Sequence, residues 1–317
     1  MSGEALTGVD RPAAAPWAIP LAGWRRVVAR TAREVISDSL SQTAAGCAFY
    51  ATLAIFPAIS MLVSIYGLVF DPRSVEPQLS VLRGLLPPAA FSLIYDRVQT
   101  LVSQPARTLG LGLAVSAAVA FWSSATGTKS MLSALNVAYE ESEKRGFVRF
   151  QMTALGITLL TVLAAVLGLA ILLGLPAVFG FFGIGSAAQT LIQVASYALL
   201  VVFVLLGLSL LYRYGPSRRT AGWVWVMPGA VVATLLWLAA SALFSIYVGR
   251  FANYGNTYGP IGAVVALMLW FYVTVFVVLV GAELNAELEL QTTQDSTEGA
   301  ARPMGQRGAF VADHIAR

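Results

Sequence analysis

Along this chain the apolar positions form long unbroken runs and the polar ones gather in short clusters. Neither the alternation of a half-buried strand nor the three-and-four rhythm of a soluble helix fits that spacing. Ser39 to Phe70 carries no charged residue, nor does Thr108 to Thr128. A hydrocarbon layer of roughly 30 Å takes about 20 residues at the helical rise of about 1.5 Å, so each run supplies one crossing. Phe150 to Tyr212 is too long for one crossing and is expected to fold back over Pro176 to Gly185, where Gly and Pro cluster before Ser186 and Gln189. Thr220 to Gly249 and Phe251 to Ala282 complete the pattern. Lipid leaves backbone groups no water to bond, so apolar spans of this length become helices. The fold class predicted is an all-α polytopic membrane bundle of six transmembrane helices, with amphipathic interfacial helices beside it. Residues 1–43 form an N-terminal arm, 44–290 the six-helix domain, and 291–317 a polar tail expected to be disordered.

Two segments are neither spans nor simple loops. In Leu21 to Leu40 the apolar Trp24, Val27, Val28, Val35 and Leu40 are interleaved with Arg25, Arg26, Arg30 and Arg33. That pattern predicts a helix lying on the cytoplasmic leaflet with its arginines on anionic headgroups, or else a solvated basic arm. Ser74 to Gln104 reads as two short amphipathic helices split by Pro87 and Pro88, resting on the outer ends of the bundle. No internal repeat is evident.

Composition agrees with a bilayer: 57% of the 317 residues are hydrophobic, 11% are charged, and the mean hydropathy is +0.74. The net charge of +4 is spread through the segments between spans, so it marks topology and gives no reason to expect nucleic acid. With the N-terminus inside, 15 of the 20 basic residues fall on the cytoplasmic side, and only Arg73, Arg83, Arg97, Arg107 and Arg250 fall outside. Both termini are therefore expected in the cytoplasm, with the protein in the inner membrane. Met1 to Pro20 lacks an apolar region ahead of a cleavage site, so numbering is expected to start near Met1. The single cysteine, Cys47, forms no disulfide framework and reads as a small buried hydrophobe.

Polar groups in and near the spans are the candidates for function, because each costs free energy in lipid unless it meets protein or water. Tyr50 and Thr52 precede Pro57, which frees a backbone carbonyl or merely kinks the helix. Ser123, Ser124, Thr126 and Thr128 lead into Lys129, Asn136, Tyr139 and Glu140; these line a pathway or join helices through hydroxyls. Asn253, Tyr254, Asn256, Thr257 and Tyr258 connect the last two spans on the outer side, as a gate or as an ordinary interfacial turn. Glu283, Asn285 and Glu287 close the last span. The two glutamates are four apart, share one face, and oppose the helix dipole. A lock from Glu283 to Lys129 or Arg149 and a solvated helix end are the two readings.

Enzyme signatures are missing from the sequence: His314 is the sole histidine, no acidic cluster has metal-ligand spacing, and no P-loop, GxSxG or HExxH occurs. No catalytic residue, metal or cofactor is expected.

The runs AAGCAFYATLAIFP (Ala44 to Pro57), FWSSATGTKSMLSALNVAYE (Phe121 to Glu140) and YGNTYGPIGAVVALMLWFYVTVFVVLVGAELNAELE (Tyr254 to Glu289) resemble the YihY/BrkB family, over Trp24 to Glu289. The resemblance implies a six-helix inner-membrane protein with a virulence association and an older label, ribonuclease BN. A nuclease needs acid-base groups or metal ligands converging on a phosphate, which these residues do not offer. The leading expectation is a transporter or exporter of a small solute or lipid-like molecule. The alternative is a non-catalytic envelope scaffold or regulatory membrane protein.

Overall fold

The computed structural model describes residues 13–69, 95–96, 109–169, 186–251 and 254–315. Among them are the helices α1 (Leu21–Ser37), α2 (Leu40–Val69), α3 (Leu109–Ala138), α4 (Phe147–Leu169), α5 (Ser186–Tyr214), α6 (Trp223–Phe251), α7 (Tyr254–Glu289) and the short α8 (Phe310–Asp313). No strand occurs among the described residues beyond an isolated bridge from Ala221 to Thr297. The fold is all-helical. Four helices are long and apolar enough to cross a membrane, in the stretches Phe147–Ala164, Thr190–Tyr214, Trp223–Tyr247 and Val264–Glu289. Within an 18-residue apolar window of each stretch, between 11% and 22% is buried in the protein, so much of the apolar surface there is left for lipid to cover.

Two helices carry polar residues past their charge-free runs: α7 continues beyond Ala282 to Glu289, and α3 does the same. α3 continues ten residues past Thr128 to Ala138, carrying Lys129 and Asn136 within one helix. It ends in a Schellman arrangement: Glu141 N–H donates to the Asn136 carbonyl at 2.8 Å and Glu140 N–H to that of Val137 at 2.9 Å. Glu140 occupies the left-handed position at φ 52°, where glycine is usual. Ser39, between α1 and α2, has the same φ.

α7 is the central element. It packs against α1, α2, α3, α6 and α8, while α3 also lies on α2 and α4, and α5 lies on α6. The core at this junction is built largely of small residues, among them Ala44, Ala134, Ala230, Ala233, Ala282 and Ala286, around Leu135, Tyr212 and Leu279. Small side chains let helix backbones approach where no hydrophobic force drives them together.

Three expectations change. Residues 291–315, expected to be disordered, are folded against the end of the bundle. Gly222 N–H donates to the Ser296 carbonyl at 2.8 Å, Glu298 N–H to that of Thr220 at 2.9 Å, and Val311 is fully buried. The polar average of this segment hides its two apolar anchors, Phe310 and Val311, and the arginines its carbonyls accept from. Tyr254, Asn256, Thr257 and Tyr258 belong to the start of α7 rather than to a connecting turn, and Asn253 lies outside the described residues. α2 passes through Pro57 as one helix. On α1, Arg30 is turned inward to Glu287, so it does not share the lipid-facing role expected of Arg25, Arg26 and Arg33. The double-proline segment, apart from residues 95–96, and the reversal at Pro176 to Gly185 also lie outside the described residues.

Candidate functional site

The polar side chains of the bundle concentrate at the end where α7 finishes and both chain ends return. Ala13 N–H donates to Thr292 Oγ1 at 3.1 Å, and that hydroxyl donates back to the Ala13 carbonyl at 2.8 Å. Asn285 sits beside the proline of α6. Its Oδ1 accepts from Gly229 N–H at 2.7 Å and its Nδ2 donates to the Val226 carbonyl at 3.1 Å. Pro228 lies inside α6 and brings no N–H to the helix ladder, so the amide of Asn285 braces the backbone on both sides of it. Tyr212 on α5 completes the crossing by donating to the Val278 carbonyl at 2.7 Å.

A buried ion pair lies next to this joint. Arg218, in the α5–α6 connection, meets Glu289 at 2.6 Å with neither side chain exposed, and its guanidinium stacks 4.6 Å from the ring centroid of Tyr139. Ser296 from the tail donates to the other Glu289 oxygen at 2.6 Å. Asn136 holds the α3–α4 turn, donating to Glu143 at 3.0 Å and accepting from Ser217 N–H at 2.7 Å. Glu141 accepts from Lys144 at 2.6 Å and from the N–H of Phe310 at 2.6 Å. Arg213 pairs with Glu298 and lies over the ring of Trp223. These contacts fasten α3, the α5–α6 connection, α7 and the tail into one block.

The glutamates of α7 part company. Glu287 takes Arg30 at 2.5 Å, and Arg30 also donates to Gln291 at 2.9 Å. Glu283 makes no lock with Lys129 or Arg149. It is only 4% exposed, and its Oε2 has no hydrogen-bond partner. The groups acting on it electrostatically are Asp38 and Glu34 at the end of α1, Glu287, and Glu140, all of them acidic. Burial pushes the Asp38 carboxyl up, and neighbouring Glu34 adds to that. Burial raises Glu140 likewise, helped by Asp38, Glu34 and Glu287 against His314. These carboxylates act on one another and on Glu283 with like charge. Among the described residues no three His, Cys, Asp or Glu side chains are arranged to hold a metal ion.

Lys129 belongs to a different face. It donates to Gln151 Oε1 on α4 at 3.2 Å and lies 5.9 Å from the ring centroid of Trp122. Thr128 and Thr158 join the same two helices at 2.7 Å. Of the other sequence candidates, Thr52 donates to its own helix at Ala48 (2.8 Å), Tyr50 is exposed, and Thr126 is partly buried. Ser123 and Ser124 lie on α3. The structure therefore gathers Asn136, Tyr139, Glu283, Asn285 and Glu287 at one end and sets Lys129 apart. Arg30, Arg218, Glu289 and Gln151 were not singled out as site residues. Arg30 was expected on lipid headgroups, and Arg218 counted only as a basic residue of a cytoplasmic segment.

A sequence profile of the family described as virulence factor BrkB matches residues 31–305. The chain is 32% identical over 251 residues to a putative ribonuclease-like protein, YfkH, of Bacillus subtilis, covering 76% of this chain and 87% of that one. It is 23% identical over 270 residues to a UPF0761 membrane protein of Pseudoalteromonas translucida, covering 83% and 86%. A UPF0761 membrane protein of Pseudomonas aeruginosa is 26% identical over 272 residues, covering 81% of this chain and 61% of the relative. No solved structure matches. The match across nearly the whole bundle, joined to helices whose apolar faces point outward, shows that the chain belongs to the virulence factor BrkB family of membrane proteins.

Proposed function

We propose that this protein is a six-span transporter of a small solute or lipid-like molecule in the inner membrane, with the polar end of the bundle and both termini in the cytoplasm. The excess of Lys and Arg on the segments at that end supports the orientation. One observation carries the transport reading: Lys129 and Glu283 sit in an apolar bundle without an opposite-charge partner among the described residues. Ionisable groups in membrane helices are rare and costly unless they meet a partner or water, so unpaired ones mark pathways and binding sites. A purely structural bundle would pair them, as Arg218 and Glu289 are paired. α1 rests on the membrane surface, presenting Leu21, Val28 and Ile36 to lipid and Arg25 and Arg33 to headgroups.

The reading is non-catalytic. The name of the Bacillus relative belongs to that protein, and purified protein is expected to show no metal-dependent cleavage of RNA. The transport test compares solutes and lipids inside and outside cells that lack the protein with cells expressing the wild type or Glu283→Gln at equal membrane abundance. A compound retained without the protein, and released by the wild type but not by the variant, identifies the substrate. No difference between the strains turns the reading to an envelope scaffold, pursued by cross-linking.

A further inference from the structure

The contact between Lys129 and Gln151 is half of a binding site. An ammonium group only donates, so the Gln151 amide must turn its oxygen toward Lys129 Nζ, as it does at 3.2 Å. That choice commits the amide oxygen, and Gln151 Nε2 is buried without an acceptor, on a residue that is 7% exposed. A buried donor left unmade is costly and rare. Lys129 has no carboxylate in ion-pair reach among the described residues; its other neighbour is the ring of Trp122. The hydroxyls of Thr128 and Thr158 bond each other, Thr158 also donates to the Ala154 carbonyl at 2.8 Å, and neither accepts from Gln151 Nε2.

A cation and an amide N–H, adjacent and both without an anion, are complementary to a group that offers several acceptor oxygens and a negative charge. The Lys129 side of the site is open. Lys129 is partly exposed, Trp122 is 55% exposed, and on α4 Met152 and Leu159 lie open on the outer face of the bundle. An aromatic wall beside a cation at an open apolar face suits a phosphate with an apolar body attached.

We infer that Lys129 and Gln151 form an anion site between α3 and α4 that takes a phosphate group, free or on a lipid headgroup. For the transport reading, on which the functional meaning rests, this names the substrate class. The binding itself is independent of transport.

The test uses the full chain purified in dodecyl maltoside, which contributes no phosphate, and follows its thermal unfolding. A ligand bound only by the folded state raises the midpoint in a saturable way. One arm adds inorganic phosphate, the second adds phosphatidylglycerol, and the control adds a diacylglycerol, which lacks the phosphate. Saturable stabilisation by phosphate assigns the site to a free anion; stabilisation by phosphatidylglycerol alone assigns it to a lipid headgroup. Lys129→Met is expected to abolish the response, Lys129→Arg to retain it, and Gln151→Leu to weaken apparent affinity about tenfold, the worth of one hydrogen bond to a charged group. If Lys129→Met does not fold, Gln151→Leu and Lys129→Arg still report. Equal responses in wild type and Gln151→Leu, or no saturable response to either ligand in the wild type, would overturn the inference. Loss of export with binding intact would count against the transport reading alone.

Discussion

Gly229 and Gly281 face each other where α6 crosses α7, and neither has room for one more carbon. A Cβ on Gly229 would stand 2.0 Å from the Gly281 carbonyl oxygen; a Cβ on Gly281 would stand 2.5 Å from Tyr212 Oη and 2.7 Å from the Gly229 carbonyl. Close backbone approach is how helices gain packing energy in lipid. Here it also brings Asn285 against the Pro228 segment and Tyr212 against Val278. Gly229→Ala and Gly281→Ala are each predicted to cost about 1–3 kcal/mol or more, as overpacked cores do. Tyr212→Phe should rescue Gly281→Ala only in part, since the Gly229 carbonyl remains in the way. Thermal unfolding of the purified variants checks this.

Asn285 makes a second prediction. Its side chain gives an acceptor to Gly229 N–H and a donor to the Val226 carbonyl, both of them buried. Asn285→Leu keeps the volume and removes both bonds, with an expected loss of about 1–3 kcal/mol. Asn285→Asp keeps the acceptor but loses the donor and buries a carboxyl, so it should be worse than Leu at neutral pH. The ranking of the two variants in the same unfolding assay decides the point; Asp matching or exceeding Leu would refute it.

Arg218 and Glu289 supply the third. Removing one partner of a buried pair leaves an uncompensated charge, and the usual cost is about 3–5 kcal/mol. Arg218→Met is therefore predicted to be severely destabilising, and it also strips the cation from the ring of Tyr139. The double variant Arg218→Met with Glu289→Met should recover more than half of that loss. Additive losses in a double-mutant cycle would show that the two side chains do not act as a pair.

Four long apolar helices were legible because apolar run length is a direct consequence of bilayer thickness: the stretch Trp223–Tyr247, for one, lies wholly inside the charge-free run Thr220 to Gly249. The end of α7 was legible as a place, since carboxylates at a helix C-terminus demand compensation, but its partners were not. Lys129 and Arg149 were the candidate cations among those assigned to the same side of the membrane, whereas Arg30 was assigned to lipid by the amphipathic pattern of α1. Pairing across more than 250 positions depends on how α1 lies on α7, and no local pattern encodes that. The tail was misread for a related reason. Its low hydrophobicity predicts disorder only if its polar groups have nowhere to bond, and here they bond within the tail, to the α5–α6 connection, to Ala13 and to Glu141. Gln151 gave no signal, because one glutamine in an apolar helix is informative only once its amide is seen to lack an acceptor.

The α3–α4 turn makes the last prediction, and its sign can be worked out. Side-chain hydrogen bonds from Arg145 to Glu143, at 2.7 and 2.8 Å, work with its backbone N–H, Asn136 and Ser217 against burial, holding the Glu143 carboxyl down at about 2. A carboxyl whose folded value lies below its ordinary 4.5 contributes stability that is fully present above the ordinary value. That contribution fades as the pH falls from there toward 2, as the proton displaces Arg145. The pair is partly exposed, so screening by solvent limits it to about 1 kcal/mol or less. Asp295 and Asp313 are also held below the ordinary range despite burial, by hydrogen bonds from Thr297 and Arg302 to the first and from Arg307, Gly308 and Gly305 to the second. Wild-type stability should therefore fall with acid for more than one reason. The difference between wild type and Glu143→Gln isolates the turn: it should be constant at neutral pH and shrink as the pH drops through about 4, with Arg145→Ala showing the same convergence. Unfolding midpoints measured across that range in detergent give the answer, and a difference that stays constant into acid would mean that Glu143 does not hold the turn through its charge.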